Sequence, residues 1–594
     1  MNNDEYIRSY TDKELFKRLF FYIKPYLSKF IFSLILVLII VLLDLAPSYF
    51  IGEIINVLDD ESKIFFSVSI DKIVLIRYII LALVVIVFLS MVLNYIYQMI
   101  LQYVGQDLVY EIRKETFEHI EELSIEQITK NPIGKLVTRV TNDTNALSDL
   151  FTSVLVMLVR YLLTIIFIYV CLWINSPKLT IYVSIVLPFI IGSTILFRHL
   201  SRKSYRNVKN SVSRMNSYLS ENLSGMKVIQ IFNQENKKYN EFNTYNKELR
   251  KANISQIFLF SIFRPFMYFL SVIAIIITLY IGSIEVNNGT ILLGTLITYY
   301  TLLGNFFSPI ENLAEQFNTL QSSLASCEKI FTNLDTKTLI VDKEDATLAK
   351  DIKGTIEFKN VWFAYNTDEW ILKDVSFKVE AGQTCAFVGA TGAGKTTILS
   401  LICRNYEFQK GEILIDGIDI RSYSIKSLRE NIGQMLQDVF LFSGTIRDNI
   451  TLYDNKYSDQ EIMDACKFVN CDRIVNSYSD GLDHIVEERG KNYSQGERQL
   501  LSFARTVLSR PNIMILDEAT ANIDTYTESL IQDSLKNIKS IGTMLVVAHR
   551  LSTIQHADKI IVLNHGEVIE EGNHQELLAK KGMYYALYEL QYKE

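Results

Sequence analysis

Residues Gly389 to Thr397, GATGAGKTT, decide how the chain is read. Gly389, Gly394, Lys395 and Thr396 occupy the fixed places of the pattern G-x-x-x-x-G-K-[ST]. The pattern carries a mechanism only between a strand and a helix. Both are predicted here: Thr384 to Val388 (TCAFV) reads as a buried strand, and Ile398 to Cys403 as the start of a helix. In that setting Gly389, Ala390, Thr391, Gly392, Ala393 and Gly394 form a loop whose backbone N–H groups close around phosphate oxygens. The helix N-terminus behind Thr397 adds its positive dipole end. Lys395 reaches the terminal phosphates of a nucleoside triphosphate, and the Thr396 hydroxyl ligates Mg²⁺. ATP and Mg²⁺ are therefore the expected ligands.

The rest of the chain divides in two. At 594 residues it is too long for one core, and long apolar runs in its first half give way to ordinary mixed sequence in its second. The net charge is −7 and the basic residues sit beside apolar runs, which argues against nucleic acid as a partner. Six cysteines show no framework spacing; Cys327, Cys385, Cys403, Cys466 and Cys471 lie in or next to the second half and read as free cytosolic thiols. Met1 to Lys24 is charged and amphipathic, unlike a cleavable leader.

Within the first half, DKELFKRLFFYI (12–23) suits a short helix lying at the cytoplasmic interface. Apolar segments follow at about Phe30–Ile55, Ile73–Val104, Phe151–Ile174, Leu179–Phe197, Ile257–Ile281 and Ile291–Phe307, each near the length a spanning helix needs. Lys17, Arg18, Lys24 and Lys29 precede the first. Arg113, Lys114, Lys130, Lys135 and Arg139 follow the second, and Arg198, Arg202, Lys203 and Arg206 the fourth. The turn from Glu285 to Thr290 has no lysine or arginine, so both termini are expected in the cytoplasm of a multi-pass protein of the cytoplasmic membrane. Lys63 and Lys72, in the first outer loop, do not overturn the pattern.

The two inner loops are periodic and charged, and predict helices that continue beyond the bilayer. Breaks are expected at Ser124–Pro132 and at Tyr218–Gly225. Inside the spans, Asp44, Arg160 and Arg264 need partners or a water-filled face; Asp44 with Pro47 could also mark a bend, and Arg264 could snorkel to the interface.

From about Leu339, strands and helices alternate as in a nucleotide-binding α/β domain. Tyr365 is placed to stack on adenine, although a core tyrosine is the plainer reading. IMILDE (513–518) is an apolar strand ending in two carboxylates: Asp517 for the Mg²⁺ shell and Glu518 to orient the attacking water. LVVAH (545–549) is a second buried strand, ending in His549, a candidate contact to the γ-phosphate.

With these motifs in order, the chain resembles a half-transporter of the ABC exporter family over almost its whole length. The resemblance adds a Q-loop at Gln437, a signature region at YSQGERQ (493–499), a D-loop at Ala521, Asn522, Ile523 and Asp524, and a switch histidine at His549. It implies a membrane α-helical domain of six transmembrane helices, the type IV exporter fold, joined to an α/β P-loop ATPase domain. The expected divisions are 1–28 elbow, 29–325 transmembrane domain, 326–350 linker and 351–594 nucleotide-binding domain. By the same resemblance Glu518, His549 and Gln437 serve catalysis; Thr396, Gln437 and Asp517 serve the metal; and Ser494 and Gly496 of one domain complete the ATP site of another. The breaks in the inner loops become coupling helices. The implied function is ATP-driven export of an amphiphilic solute such as a drug, lipid or peptide, by alternating access and in contact with membrane lipid.

The chain also departs from the family. Leu436 stands where a proline usually precedes the Q-loop glutamine, and the usual L-S-G-G-Q is here Tyr493, Ser494, Gln495, Gly496, Glu497. The second departure favours a heterodimer, with a partner chain that brings a regular signature to this chain's complete P-loop. The alternatives are a homodimeric lipid flippase or multidrug exporter, or an ATP-gated or importing member of the fold.

Overall fold

The computed structural model describes residues 10–59, 72–366, 369–436, 438–517, 525–539, 541–547 and 554–592. It separates into two compact units: Met1–Glu121 with Ile133–Thr336, and Glu122–Pro132 with Lys337–Glu594.

The first unit is helical. The helix Asp12–Ile23 starts in a reciprocal cap, in which the Thr11 side chain accepts from the Glu14 N–H and the Glu14 carboxylate accepts from the Thr11 N–H. Its Leu15 and Leu19 are buried with Val104, Ile112, Leu147, Ile330 and Phe331. Long rods follow: Leu27–Leu58, Lys72–Glu122, Ile133–Asn175, Leu187–Ser224, Glu235–Asn287 and Leu293–Leu334. The third ends because Ser176 caps the next helix and Pro177 takes its first position, where a missing N–H costs nothing. That next piece, Pro177–Ser184, joins Leu187–Ser224 through a bend of 40° ahead of Pro188.

Among the described residues, four helices are long and apolar enough to cross a membrane, or five with the bent pair taken as one span. The sixth, Leu293–Leu334, has the length, but Thr298, Tyr299, Tyr300 and Asn305 dilute its apolar half. The expected break at Tyr218–Gly225 is corrected: Tyr218 to Ser224 continue the long helix, which stops at Gly225. A short helix, Met226–Ile231, and a turn at Asn233, whose φ is +51°, follow it. Ser220 and Asn222 are polar but keep helical spacing, so only Gly225 interrupts. The sixth helix also runs to Leu334, past the linker start expected at 326.

In the second unit β1 (Ile356–Phe363), β2 (Leu372–Val379), β4 (Lys410–Ile415) and β5 (Ile418–Asp419) form an antiparallel sheet in the order β2-β1-β4-β5. The larger sheet has the order β12-β11-β3-β10-β9-β6, made of β3 (Thr384–Val388), β6 (Ile432–Met435), β9 (Ile513–Asp517), β10 (Thr543–Val547), β11 (Lys559–Asn564) and β12 (Glu567–Gly572). β7 (Gly444–Thr445) and β8 (Ile485–Val486) pair apart from both. β3, β9 and β10 are buried at every residue, as expected of parallel strands covered on both faces. Parallel pairing sets Val547 beside both Phe387 and Asp517, so the carboxyl ends of the three strands meet at one edge.

Candidate nucleotide-binding site

At that edge the backbone turns out of β3 into the P-loop. A Cβ on Gly389 would stand 2.1 Å from the Leu563 carbonyl oxygen, and Gly394, at φ +101°, caps the helix Lys395–Ile402. Neither position accepts a side chain without rebuilding the loop. Lys395 is buried, and its ammonium donates to the carbonyls of Gly389 at 2.8 Å and Ala390 at 3.0 Å. A cation is thereby held inside the loop, aimed where phosphate oxygens would lie.

The Thr396 hydroxyl donates to Asp517 Oδ1 at 3.3 Å, joining the first turn of the P-loop helix to the end of β9. One hydroxyl and one carboxylate are the hard oxygen donors that Mg²⁺ takes, the rest of its shell coming from phosphate and water. Among the described residues no group of three or more histidine, cysteine or acidic side chains could hold a metal alone. The donor set thus fits a cation that arrives with a nucleotide.

Tyr365 is partly exposed. Its ring meets Phe363 and Tyr406 edge to face, and its hydroxyl lies 3.1 Å from Thr397 Oγ1. Burial pushes the phenol pKa above its ordinary value, so the group stays a neutral hydroxyl. The aromatic face that the sequence suggested for adenine is therefore fixed to the P-loop helix itself.

The signature residues begin another helix, Gln495–Leu508, capped by Ser494. The Glu497 N–H donates to Ser494 Oγ at 3.2 Å, and the Ser494 N–H donates to Glu497 Oε2 at 2.8 Å. Glu497, half-buried, therefore closes a capping box on its own helix. Gly496 is buried and Gln495 exposed. The pattern S-x-x-E at 494–497 is the local signal for this cap.

Residues 30–310 match the ABC transporter transmembrane region family, and residues 372–521 match the ABC transporter family. YheH of Bacillus subtilis (strain 168), described as a probable multidrug resistance ABC transporter ATP-binding/permease protein, is 36% identical over 80% of this chain and 71% of its own length. This chain belongs to the ABC transporter family. The ATP-dependent lipid A-core flippase of Syntrophus aciditrophicus (strain SB) is 34% identical over 80% of this transporter and 79% of the flippase. The fold matches a bacterial Atm1-family ABC exporter with ATP bound at a TM-score of 0.80, with 24% identity over 95% of this chain and 98% of that one. The chain is thus a membrane-spanning, ATP-driven transporter with the exporter fold.

Not every expected residue of the transporter falls within the description. Gln437, Glu518, the D-loop from Ala521 to Asp524, and His549 lie outside the described residues. Sequence reading also missed a link inside the second unit. In the short helix Ile125–Lys130, capped by Ser124, Gln127 is buried; its Nε2 donates to the Lys337 carbonyl and its Oε1 accepts from the Leu339 N–H at 3.2 Å. No local signal announces a bond across 210 residues.

Proposed function

We propose that this chain is one half of a heterodimeric exporter of amphiphilic solutes and that it supplies the competent catalytic carboxylate, Glu518. The observation carrying this reading is the capped signature at Ser494–Glu497. A γ-phosphate needs free N–H groups and an unopposed dipole at that helix start. Here Gln495 adds a side chain where the family has glycine, and Glu497 puts a carboxylate on the N-terminal turn. Glutamine in that place would close the same cap without charge, so the departure is electrostatic. A site completed by this signature turns over poorly, whereas this chain's own P-loop is complete and waits for a regular signature from a different chain.

In the active site so formed, Lys395 balances charge on the terminal phosphates and His549 contacts the γ-phosphate. Glu518 orients the water for in-line attack, and Tyr365 stacks on the base. Thr396, Asp517 and Gln437 would hold Mg²⁺, which would supply positive charge against the phosphates. Glu518→Gln is expected to leave ATP binding intact and to slow cleavage about 10²- to 10⁴-fold. The test of the assembly is expression of this chain alone in lipid nanodiscs. Little solute-stimulated ATPase is expected until the partner is added, and robust stimulated turnover by the lone chain rejects the heterodimer.

A further inference from the structure

Asp44 and Arg160 are ionisable residues within spanning segments, and the fold pairs them: Arg160 Nη2 donates to Asp44 Oδ2 at 2.9 Å. A second helix closes the cluster. Ser90 Oγ donates to Asp44 Oδ1 at 2.8 Å, and Arg160 Nη1 donates to Asn94 Oδ1 and lies at hydrogen-bond distance from the Tyr97 hydroxyl, both at 3.3 Å. Three rods, Leu27–Leu58, Lys72–Glu122 and Ile133–Asn175, thus contribute to one polar node. Asp44 lies about 21 Å along its helix from Phe30, well inside a hydrocarbon core.

The node faces into the bundle. Val37, Ile40, Val41 and Ser48 stand seven, four and three residues before and four after Asp44, on the same helix face, and all are buried. Ser90, Tyr97 and Leu101 form a corresponding buried stripe on the second rod, and Val156 lies buried one turn before Arg160. Asp44 nevertheless keeps 41% of its side chain exposed, and Arg160 23%. A charged pair on inward faces that this chain's own packing leaves accessible is not a sealed contact.

Its bonding is incomplete. Of the five N–H donors of a guanidinium, about two are left over by these bonds, and about two of the four acceptor positions on the carboxylate are also left over. The node carries no net charge, so a lone cation or a lone anion gains attraction from one member and repulsion from the other. A head group bearing both charges meets an anchor for each. Ionisable residues at this depth are costly unless used.

We propose that Asp44 and Arg160 form a binding site for the zwitterionic head group of an amphiphile. The proposal rests on the export function above and adds the chemistry of the solute.

The test uses the assembled transporter in nanodiscs of phosphatidylglycerol and four amphiphiles with one tail, each below its micellar concentration: dodecylphosphocholine, dodecyltrimethylammonium, dodecyl phosphate and neutral dodecyl maltoside. Half-stimulation of ATPase is expected at about tenfold lower concentration for the phosphocholine than for the other charged heads. Preferences are read as ratios within each protein, so a general loss of activity cancels. In Asp44→Asn/Arg160→Gln, which removes both charges, the ratio is expected to fall to within about twofold of unity. In Asp44→Asn alone, the unbalanced Arg160 is expected to shift preference toward dodecyl phosphate. Equal response of the unmodified transporter to all heads, or a preference unchanged in both variants, overturns the site while leaving export standing. If none of the four stimulates, the export reading falls with it. Replacing part of the phosphatidylglycerol with phosphatidylethanolamine identifies the source: stimulation without added amphiphile, lost in the double variant, assigns a membrane lipid. Absence of that effect beside a retained phosphocholine response assigns a dissolved solute.

Discussion

Gln127 and Lys337 are joined by a hydrogen bond: the Gln127 side-chain amide donates to the Lys337 carbonyl at 2.9 Å. The acceptor is the first residue of the long C-terminal segment of the second unit, and the donor sits in the only other segment, Glu122–Pro132. Gln127 also helps to cap its own helix, its Oε1 accepting from the Ser124 N–H at 3.1 Å. One side chain therefore fixes both the tip and the start of the linker. Gln127→Ala is expected to abolish most solute-stimulated ATPase in the full transporter while leaving the basal rate within about twofold. Unchanged stimulation and transport would show that the contact does not transmit.

Lys395 is held by two carbonyls of its own loop. Lys395→Ala should weaken ATP binding by about 10- to 100-fold, the effect of losing a charge-assisted bond of about 1.5–3 kcal/mol. Titration with a fluorescent ATP analogue measures it, and affinity equal to that of the unmodified protein contradicts the role.

The Tyr365 hydroxyl lies 3.1 Å from Thr397 Oγ1, and its ring is the one proposed above to stack on the base. Tyr365→Phe should retain ATP affinity within about threefold, since one net hydrogen bond is worth about 1 kcal/mol or less. Tyr365→Ala should lose about 5- to 100-fold through lost stacking. Equal effects of the two substitutions would mean that the ring does not meet the base.

Glu497→Gln separates charge from shape at the signature. The cap from Ser494 is kept and the carboxylate removed, so thermal stability should change by no more than about 0.5 kcal/mol. ATPase at the site completed by this signature should rise. Glu497→Ala, which also removes the half of the box that the carboxylate closes on the Ser494 N–H, is expected to cost about 0.5–1 kcal/mol. No gain in turnover from Glu497→Gln, measured with a competent glutamate placed at the partner's catalytic position, counts against the electrostatic explanation.

His574 gives the second unit an acid-sensitive corner. Its Nδ1 lies 2.7 Å from the Tyr584 hydroxyl, and burial, then His556, hold its pKa below the ordinary 6.5. A histidine with a lowered folded pKa binds fewer protons when folded than when unfolded. Its environment therefore costs no stability above 6.5, and stability is lost as pH falls through 6.5 toward the folded value. The melting temperature should fall over that range, and the fall should be shallower in His574→Gln; identical pH profiles contradict the linkage.

The P-loop, the buried strands β3, β9 and β10 and the apolar rods were legible because each is written in a few neighbouring residues. Glycine placement, period-two or helical spacing and cap chemistry act over short stretches, so local sequence determined them. Asp44 and Arg160 could be named from sequence as charges in need of partners, yet their pairing joins residues 116 positions apart and depends on how three rods pack. Gln127 is a similar case: its polar tip was expected, but its bond to Lys337 follows from where the linker returns. At Tyr218–Gly225 local reading misplaced the break, because polar residues on an exposed helix resemble a loop until the structure shows that Gly225 ends it. Sequence by itself determined the elements and the chemistry of the P-loop. Tertiary structure decided which distant polar groups satisfy one another, because burial penalises an unpaired charge wherever the fold carries it.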